Sequence, residues 1–248
     1  MDKFLEGQVA VVSGSALNIG REICVQLAQH GASVVTHARS DREGAEKTAE
    51  LVREAGGQAA TWIGDLTEPE GAKALIQTAI DAFGKITILV NNAAIRGNDR
   101  LEDIPLEKFQ RILATNLQAH FLCAQAAVPH IEAQGGGRIV NIGGLAGHRG
   151  VPLRAHVATS KAGLMGMTTS MAAELAEKNI TVNIVVPGMI DTIRGASAGG
   201  APHIGHPNML HRDGAPAEVA HWVTALCHPN GGYVTGQTIH VNGGAYTP

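Results

Sequence analysis

The sequence has few aromatic residues, few cysteines and no long apolar run, and each shortage excludes a kind of protein. Phe, Trp and Tyr make up 3% of the 248 residues while glycine reaches 31, a combination that suits closely packed helices and tight strand-to-helix turns. Cys24, Cys123 and Cys227 are far apart and odd in number, which predicts reduced, buried thiols in a cytoplasmic protein rather than a disulfide framework. Because nowhere do about 18 apolar residues run together, no membrane span is expected.

The chain also lacks an excess of basic residues. Its 19 Lys and Arg residues are outnumbered by 22 Asp and Glu residues, giving a formal net charge of −3. A nucleic-acid surface needs the opposite balance, so we expect a small-molecule partner and no nucleic acid. The opening residues MDKFLEGQ are charged and contain no apolar run of the kind that a signal peptide requires.

Short apolar runs alternate with longer amphipathic segments along the whole chain. The runs lack strict apolar/polar alternation, as expected of strands covered on both faces. The predicted strands are residues 8–13, 33–38, 58–64, 86–92, 137–143, 180–187 and 237–243. A representative helix is predicted over 41–55, opening at Ser40 or Asp41 and closing at Gly56. The alternation predicts an α/β fold: a single doubly wound Rossmann-like domain over 1–248, with a parallel sheet of about seven strands and helices on both faces.

A glycine-containing turn follows the first predicted strand, in the segment VVSGSALNIGREI. Glycine there lets the backbone turn sharply and approach a pyrophosphate, which then sits at the positive end of the next helix. Gly14 and Gly20 are present, and Asn18, which tolerates left-handed backbone angles, stands between them. Alone this turn is a weak signal, because a helix start without a ligand has a similar sequence.

Several motifs in order along about 240 residues resemble those of the short-chain dehydrogenase/reductase family. SGSALNIG is similar to the family's TGxxxGIG turn, LVNNAA to its NNAG motif, and VVPGMIDT to its PGxxxT motif. GDLTE, LATNLQAHF, RDGAPAEVA and TGQTIHVNGG continue the likeness to the C-terminus. So many ordered motifs make chance agreement negligible, although any one of them alone would be weak.

The resemblance implies a nicotinamide dinucleotide cofactor. It implies that Asp65 contacts the adenine, Lys161 the nicotinamide ribose and Thr192 the nicotinamide carboxamide. The expected cofactor-binding residues are Gly14, Ser15, Leu17, Asn18, Ile19, Arg39, Ser40, Asp65, Leu66, Asn92, Ala93, Lys161, Pro187, Gly188, Ile190 and Thr192.

The end of the second predicted strand bears on the choice between the two nicotinamide nucleotides. A carboxylate there would accept the ribose hydroxyls and repel a 2′-phosphate, but the position is Ala38. Arg39 follows with a planar fork suited to phosphate, and the Ser40 hydroxyl can add a bond. We therefore expect NADP(H) to be preferred over NAD(H). The alternative is that Arg39 is only a solvated residue after a strand.

The catalytic motif is where the chain departs from the family. The resemblance implies a tyrosine that passes the proton, a serine that holds the substrate oxygen, a lysine that lowers the tyrosine pKa and an asparagine that orders a relay water. Asn116 and Lys161 match, whereas Gly144 stands at the serine position and Val157 at the tyrosine position. Since a positioned general acid contributes about 10² to 10⁴ in rate, ordinary ketone reduction should be slowed at least about a thousandfold.

Neighbouring residues are candidates to replace the lost pair. His148 and Arg149 follow the fifth predicted strand in a loop that could overhang the site, and His148 is the candidate substitute acid; the alternative is that AGHRG is an ordinary loop. His156 lies about 100° around the helix from Val157, so we expect a surface or interface histidine. Ser160 is nearer the face of Val157, although family helices often carry a small residue there.

A segment rich in Gly, Ala and His interrupts the alternation, and residues 189–213 are predicted to form a mobile substrate lid. Its histidines His203, His206 and His211 have no accompanying carboxylate or thiolate cluster, so no metal site is expected.

Three hypotheses of function remain open. The first is an NADP(H)-dependent oxidoreductase with an atypical site, acting on an iminium or a conjugated C=C or using a substitute acid. The second is a catalytically silent NADP(H)-binding protein or subunit, and the third a non-redox lyase or isomerase. The helices holding Asn116 and Lys161 carry apolar residues on more than one face, and the family likeness implies a homotetramer, or a homodimer, built through them.

Overall fold

The computed structural model describes residues 2–193 and 208–248 of the chain. Within them the seven strands form one sheet in the order β3-β2-β1-β4-β5-β6-β7, and each neighbouring pair is parallel. The strands are β1 Val9–Val12, β2 Ser33–Ala38, β3 Ala59–Ile63, β4 Ile88–Asn91, β5 Gly137–Ile142, β6 Ile180–Pro187 and β7 Thr238–Val241. The predicted α/β fold is therefore confirmed, with strand bounds within two residues of those expected.

Helices connect the strands and cover both faces of the sheet. They are α1 Asn18–Gln29, α2 Arg42–Glu54, α3 Pro69–Phe83, α4 Leu106–Leu113, α5 Ala119–Glu132, α6 Ala155–Leu175 and α7 Pro216–Cys227. Helix α2 begins as predicted, since the Asp41 carboxylate accepts a hydrogen bond from the Gly44 amide at 2.9 Å. Strands β1, β4 and β6 are buried along their whole length because a hydrophobic cluster lies on each face of the sheet.

The strand order reverses between β1 and β4. Strands β2 and β3 lie on one side of β1, and β5, β6 and β7 lie on the far side of β4. In open parallel sheets the carboxyl ends at such a reversal form a crevice in which ligands bind. All three cysteines are buried and unpaired, as expected. Among the described residues no helix is both long and apolar enough to cross a membrane.

Candidate active site

The turn after β1 brings two backbones into close contact. Gly14 has φ +63°, and a Cβ at this position would lie 2.7 Å from Ala93 Cα, so an L side chain has neither room nor an easy conformation there. Asn18 has φ +52°, which agrees with the left-handed turn expected from the sequence. Helix α1 starts at Asn18, and no side chain caps it. Its first backbone amides therefore have no side-chain oxygen as a partner and can bind an anion.

A buried histidine that sequence reasoning missed holds this turn in place. His37 is 2% exposed; its Nδ1 accepts a hydrogen bond from the Gly14 amide at 2.9 Å, and its Nε2 lies 3.1 Å from the Gly64 carbonyl. These partners require the neutral ring with its proton on Nε2. Burial lowers the pKa of His37 to about 4, which keeps the ring in that form. The sequence signal was a histidine among the apolar residues of the strand SVVTHA.

The end of β4 is bound to the same turn. The side-chain amide of Asn92 donates to the carbonyls of Ser13 at 3.1 Å and Gly14 at 2.7 Å. The Ser13 hydroxyl in turn accepts from the amides of Asn92 at 2.9 Å and Ala93 at 3.1 Å. This arrangement fixes the two central carboxyl ends of the sheet, and it accounts for the NNAA motif as a structural element of the crevice.

The residues expected at the adenosine end of a dinucleotide lie together beyond β2 and β3. Arg39 Nε is 3.0 Å from Asp65 Oδ2, and both side chains are partly exposed. Asp65 Oδ1 also accepts from the amide and the hydroxyl of Thr67 at 2.9 and 2.8 Å. Leu66 is buried beside them, whereas Ser40 is exposed. Arg39 therefore forms an ion pair with a carboxylate at the surface beyond β2 and β3.

The residues expected at the nicotinamide end follow β6. Gly188 passes so close to β7 that a Cβ would lie 2.7 Å from Asn242 Cα. Ile190 is buried, and the half-buried Thr192 donates its hydroxyl to the Ile190 carbonyl at 3.3 Å. The Asn18 side chain bridges to this segment, donating to the Ile193 carbonyl at 2.8 Å and accepting from its amide at 2.9 Å. The predicted lid, 189–213, continues into 194–207, which lie outside the described residues, as do His203 and His206.

These placements fit a dinucleotide. Four segments lie along the carboxyl edge of the sheet: the glycine turn, the start of α1, the end of β4 and the segment after β6. Where the glycine turn passes closest to the end of β4, the residue is Gly14, which has no Cβ. The buried Ser15 and Ile19 shape the turn from inside, whereas Leu17 is 41% exposed on its outer side. If a dinucleotide binds, its pyrophosphate would be held by the turn and the first amides of α1.

Lys161 lies on α6 and is almost fully buried, with 7% of its surface exposed. Its Nζ donates to the Ile142 carbonyl at the end of β5 at 2.8 Å. Burial lowers the pKa of Lys161 to about 7, and the positive charge of Arg96 adds to the shift. A lysine in this state can exchange a proton near neutral pH, which an exposed lysine cannot.

Asn116 lies in a single π-helical turn, residues Ala114–Gln118, between α4 and α5. Its fully buried side chain binds one peptide twice: Oδ1 accepts from the Ile95 amide at 2.7 Å and Nδ2 donates to the Ile95 carbonyl at 3.0 Å. Nδ2 also donates to the Ser160 hydroxyl at 3.2 Å. The π turn was not foreseen, and turns of this kind are frequent at functional sites.

Gly144 and Val157 occupy the two positions at which the family resemblance implies hydroxyl groups. Gly144 has an extended backbone, with φ 174°, and a Cβ there would lie 3.5 Å from Lys161 Cγ, an ordinary contact distance. Val157 is 6% exposed and lies one helical turn before Lys161. The Ser160 hydroxyl, the nearest candidate on this helix, donates to the Val157 carbonyl at 2.7 Å and is already engaged with Asn116.

The expectation that His156 is a surface or interface histidine is wrong. His156 is fully buried, and its Nε2 lies 3.0 Å from Asp99 Oδ2. The loop after β4 covers the start of α6, because the Asp99 amide donates to the Leu153 carbonyl at 2.9 Å. A Cβ on Gly97 would lie 2.6 Å from His156 Nε2, so glycine allows this close cover.

His148, the candidate substitute acid, packs against the C-terminal part of the chain. Its ring centroid is 4.6 Å from that of His240 on β7 and 5.6 Å from that of Tyr246. Burial, followed by the nearby His240, lowers the pKa of His148. Arg149 turns the same way and donates to the Ala245 carbonyl at 2.8 Å. The side chains of His148 and Arg149 thus contact the C-terminal segment.

A second histidine missed by sequence reasoning lies behind Lys161. His120 on α5 is buried, and its Nε2 is 2.9 Å from the Ala93 carbonyl. Burial, together with the positive charge of Lys161, lowers the pKa of His120 to about 3. For residues 2–193 and 208–248, no three His, Cys, Asp or Glu side chains are grouped so as to hold a metal ion.

Sheet topology, glycine turn and the Asn116–Lys161 pair together define a domain of the short-chain dehydrogenase/reductase type, and comparison with known proteins agrees. Residues 14–246 match the model of a protein family described as enoyl-(acyl carrier protein) reductase. The chain belongs to the short-chain dehydrogenase/reductase family.

Individual relatives cover almost the whole chain. It is 36% identical over 251 aligned positions to the 3-oxoacyl-(acyl-carrier-protein) reductase FabG of Vibrio cholerae, with 98% of each protein covered. It is 35% identical to the FabG of Staphylococcus aureus, with 96% of this chain and 97% of the relative covered. Among solved structures, acetoin dehydrogenase YohF of Salmonella typhimurium has a TM-score of 0.88 at 36% identity, covering 96% and 95%. A protein of Sinorhizobium meliloti described as a short-chain alcohol dehydrogenase has a TM-score of 0.91 at 32% identity, covering 98% of each chain.

Proposed function

We propose that the protein is an NADP(H)-dependent oxidoreductase that transfers hydride to or from a carbon conjugated with an electron-accepting group, such as an iminium or an activated C=C. One observation carries the proposal. The crevice keeps the glycine turn, Asn116 and a buried Lys161, whereas Gly144 and Val157 offer no hydroxyl to hold or protonate a carbonyl oxygen. A protein that used the nucleotide only as an anchor would have less use for the nicotinamide end.

The missing hydroxyls restrict which substrates react. When bound, NADPH supplies a hydride. A plain ketone that accepts it becomes an alkoxide, which here would lack its hydrogen-bond donors and its acid. An iminium is neutralised by the hydride, and a conjugated C=C passes the new electron pair to its acceptor group while solvent supplies the proton. The chain then needs to bind and orient the substrate and to place positive charge near the acceptor, a role that we assign to Lys161.

The family description supports this choice of substrate. Enoyl reductase names the reduction of a carbon–carbon double bond, whereas the names of the FabG relatives describe reduction of a 3-oxo group. Both names concern hydride acceptors of short-chain dehydrogenase/reductase enzymes, and the residues at positions 144 and 157 favour the former chemistry in this chain.

The proposal is tested by NADPH oxidation on matched acceptors: an α,β-unsaturated aldehyde or ketone, its saturated counterpart and a cyclic iminium. We expect turnover on at least one conjugated or iminium acceptor and rates at least about a thousandfold lower on saturated carbonyls. Product analysis must show a reduced C=C or C=N bond. Brisk reduction of the saturated ketone would contradict the proposal and make His148 the first residue to replace.

Cofactor preference gives a separate prediction. We expect NADPH to bind more tightly than NADH, because the Arg39 guanidinium lies at the end of β2 and is oriented by Asp65. Arg39→Asp should reverse the order, since it removes the phosphate partner and adds a carboxylate. Fluorescence titration of both nucleotides measures this, with Arg42→Asp on the exposed surface of α2 as the control. Equal affinities in the parent protein would leave Arg39 as a surface residue.

A catalytically silent NADP(H)-binding protein is the second candidate. This candidate is favoured by Gly144 and Val157, which stand where the family resemblance implies the two hydroxyl groups that touch a substrate oxygen. Tight NADPH binding without oxidation by any acceptor in the panel would select this candidate. Product formation without net NADPH oxidation would instead select a lyase or isomerase.

A further inference from the structure

Two stretches of the sequence that include residues of the site contain basic residues and no acidic residue. Residues 82–98 contain no Asp or Glu, and neither do residues 133–173, although these stretches contribute Arg96, Arg154 and Lys161. Asp99 is the first acid after the loop that follows β4. Its two oxygens are engaged, with Lys108 Nζ 2.6 Å from Oδ1 and His156 Nε2 3.0 Å from Oδ2.

Both arginines lie next to residues of the site along the chain. Arg96 is exposed and directly follows Ile95, whose amide and carbonyl are both bound by Asn116. Arg154 immediately precedes α6, three residues before Val157, and its Nε donates to Asn98 Oδ1 at 2.8 Å. The same helix carries Val157 and Lys161.

The loop after β4 and the start of α6 are held together as one unit. The Asp99 amide donates to the Leu153 carbonyl, Arg154 binds Asn98, and His156 binds Asp99. Helix α6 has 21 residues, and neither a side-chain cap nor an acidic residue in its first turn offsets the positive end of its dipole. The positive charge of Arg96 helps to lower the pKa of Lys161, although burial is the larger cause.

We propose that Arg96 and Arg154 form a subsite for an anionic head group of the substrate, a carboxylate or a phosphate. Guanidinium groups bind both anions through paired, charge-assisted hydrogen bonds. The head group would be anchored by the loop after β4 and the start of α6, so the remainder of the substrate extends toward Gly144 and Lys161. The subsite deepens the proposed function and rests on it, since it names the substrate class as small organic anions.

Binding of simple probes tests the subsite without requiring turnover. Benzoate, its neutral isostere benzamide and phenyl phosphate are titrated by ligand-observed NMR at low ionic strength, with and without NADP⁺. We expect benzoate or phenyl phosphate to bind at least about tenfold more tightly than benzamide. The tighter of the two anions identifies the head group. Equal affinities for benzamide and both anions would overturn the proposal.

Variants assign the effect to the two arginines. Arg96→Gln and Arg154→Gln should each weaken anion binding about tenfold and leave benzamide unchanged. Arg154→Gln keeps a donor for Asn98, and Arg96→Lys should retain most of the anion affinity. Arg42→Gln on α2 is the matched control, because it removes the same charge from an exposed position on another helix. Equal losses in Arg42→Gln and Arg96→Gln would show a general charge effect and would overturn the subsite.

The subsite and the proposed function fail separately. Arginine-dependent anion binding without reduction of any conjugated or iminium acceptor would keep the subsite and reject the oxidoreductase. Equal turnover of a neutral enone and the corresponding unsaturated carboxylate, unchanged in Arg96→Gln, would keep the oxidoreductase and reject the subsite. If Arg154→Gln unfolds, the exposed Arg96 alone decides the outcome.

Discussion

We propose that positions 144 and 157 set the chemistry of the site, and the backbone at Gly144 leaves room for a side chain there. A Cβ on Gly144 would stand 3.5 Å from Lys161 Cγ, whereas a Cβ on the adjacent Gly143 would stand 2.9 Å from Ile184 Cδ1 and Val186 Cγ2. The neighbouring glycines therefore differ: position 144 accepts a serine, and position 143 is closed by the core.

We predict that Gly144→Ser combined with Val157→Tyr raises carbonyl reduction by about two orders of magnitude or more, because Asn116 and Lys161 remain in place. Each single change should gain less, since the two hydroxyls act on one oxygen. The parent, both singles and the double are compared on one panel of ketones under saturating NADPH. Gly143→Ser with Val157→Tyr is the control and should gain little. A double variant that folds, binds NADPH and stays inert would contradict the prediction.

Residues whose conformation depends on local sequence were predictable. Asn18 adopts left-handed angles because its short amide side chain tolerates them, and Asp41 caps α2 as its type and position suggest. The burial of His156 was not predictable. It depends on Asp99 and Gly97, nearly sixty residues earlier in the chain, and helix periodicity contains no information about a distant loop.

At the scale of whole elements, strands and helices followed from hydrophobic pattern, but the connections at their ends did not. The π turn at Ala114–Gln118 lies inside a segment whose sequence reads as one continuous helix. It depends on the tertiary contact between Asn116 and the Ile95 peptide. The bond from Gly14 to His37 likewise joins two elements that only the assembled sheet brings together.

The glycine turn should be sensitive to acid. His37 has a pKa of about 4 and His120 of about 3 in the folded protein, against 6.5 for the ordinary side chain. Between pH 6.5 and about 4 the unfolded chain therefore binds more protons than the folded one, so stability falls as pH falls through this window. We expect the free energy of unfolding to drop by at least about 1 kcal/mol from pH 7 to pH 5.

Chemical denaturation at a series of pH values measures this dependence. His37→Asn should weaken it, because the amide oxygen can accept from Gly14 without titrating. His130→Asn, at an exposed position near the end of α5, is the control and should leave the slope unchanged. A stability that stays flat from pH 7 to pH 5 in the parent would mean that neither ring is held neutral by burial.

At the scale of the whole molecule, an apolar face is exposed among residues 2–193 and 208–248. Phe121 on α5 is 47% exposed, and it lines a shallow groove together with Leu117, Gly163 and Met167 of the π turn and α6. At Gly163 a Cβ would lie 2.8 Å from Leu117 Cδ2, so the two segments are in close contact below the groove. Exposed apolar faces of this kind mark contacts between proteins.

We predict that this face joins copies of the chain into a dimer or tetramer. Phe121→Glu should lower the mass measured by light scattering, because it buries a charge in an apolar contact. Lys47→Glu on the exposed face of α2 is the control and should leave the mass unchanged. A parent protein that is a monomer at all concentrations would refute the prediction.

The space beside Lys161 bears on how the protein can gain new activities by mutation. The Gly144 backbone is one that every amino acid adopts, and the Val157 carbonyl, not its side chain, is what Ser160 binds. The turn at Gly14, the hydrogen bonds of Asn92 and Asn116 and the buried Lys161 maintain the framework through contacts that do not involve the Val157 side chain, and residue 144 has no side chain. Because Val157 is buried, a charged residue at that position would cost stability. A library of uncharged residues at 144 and 157 should therefore consist mostly of foldable proteins from which new activities can be selected.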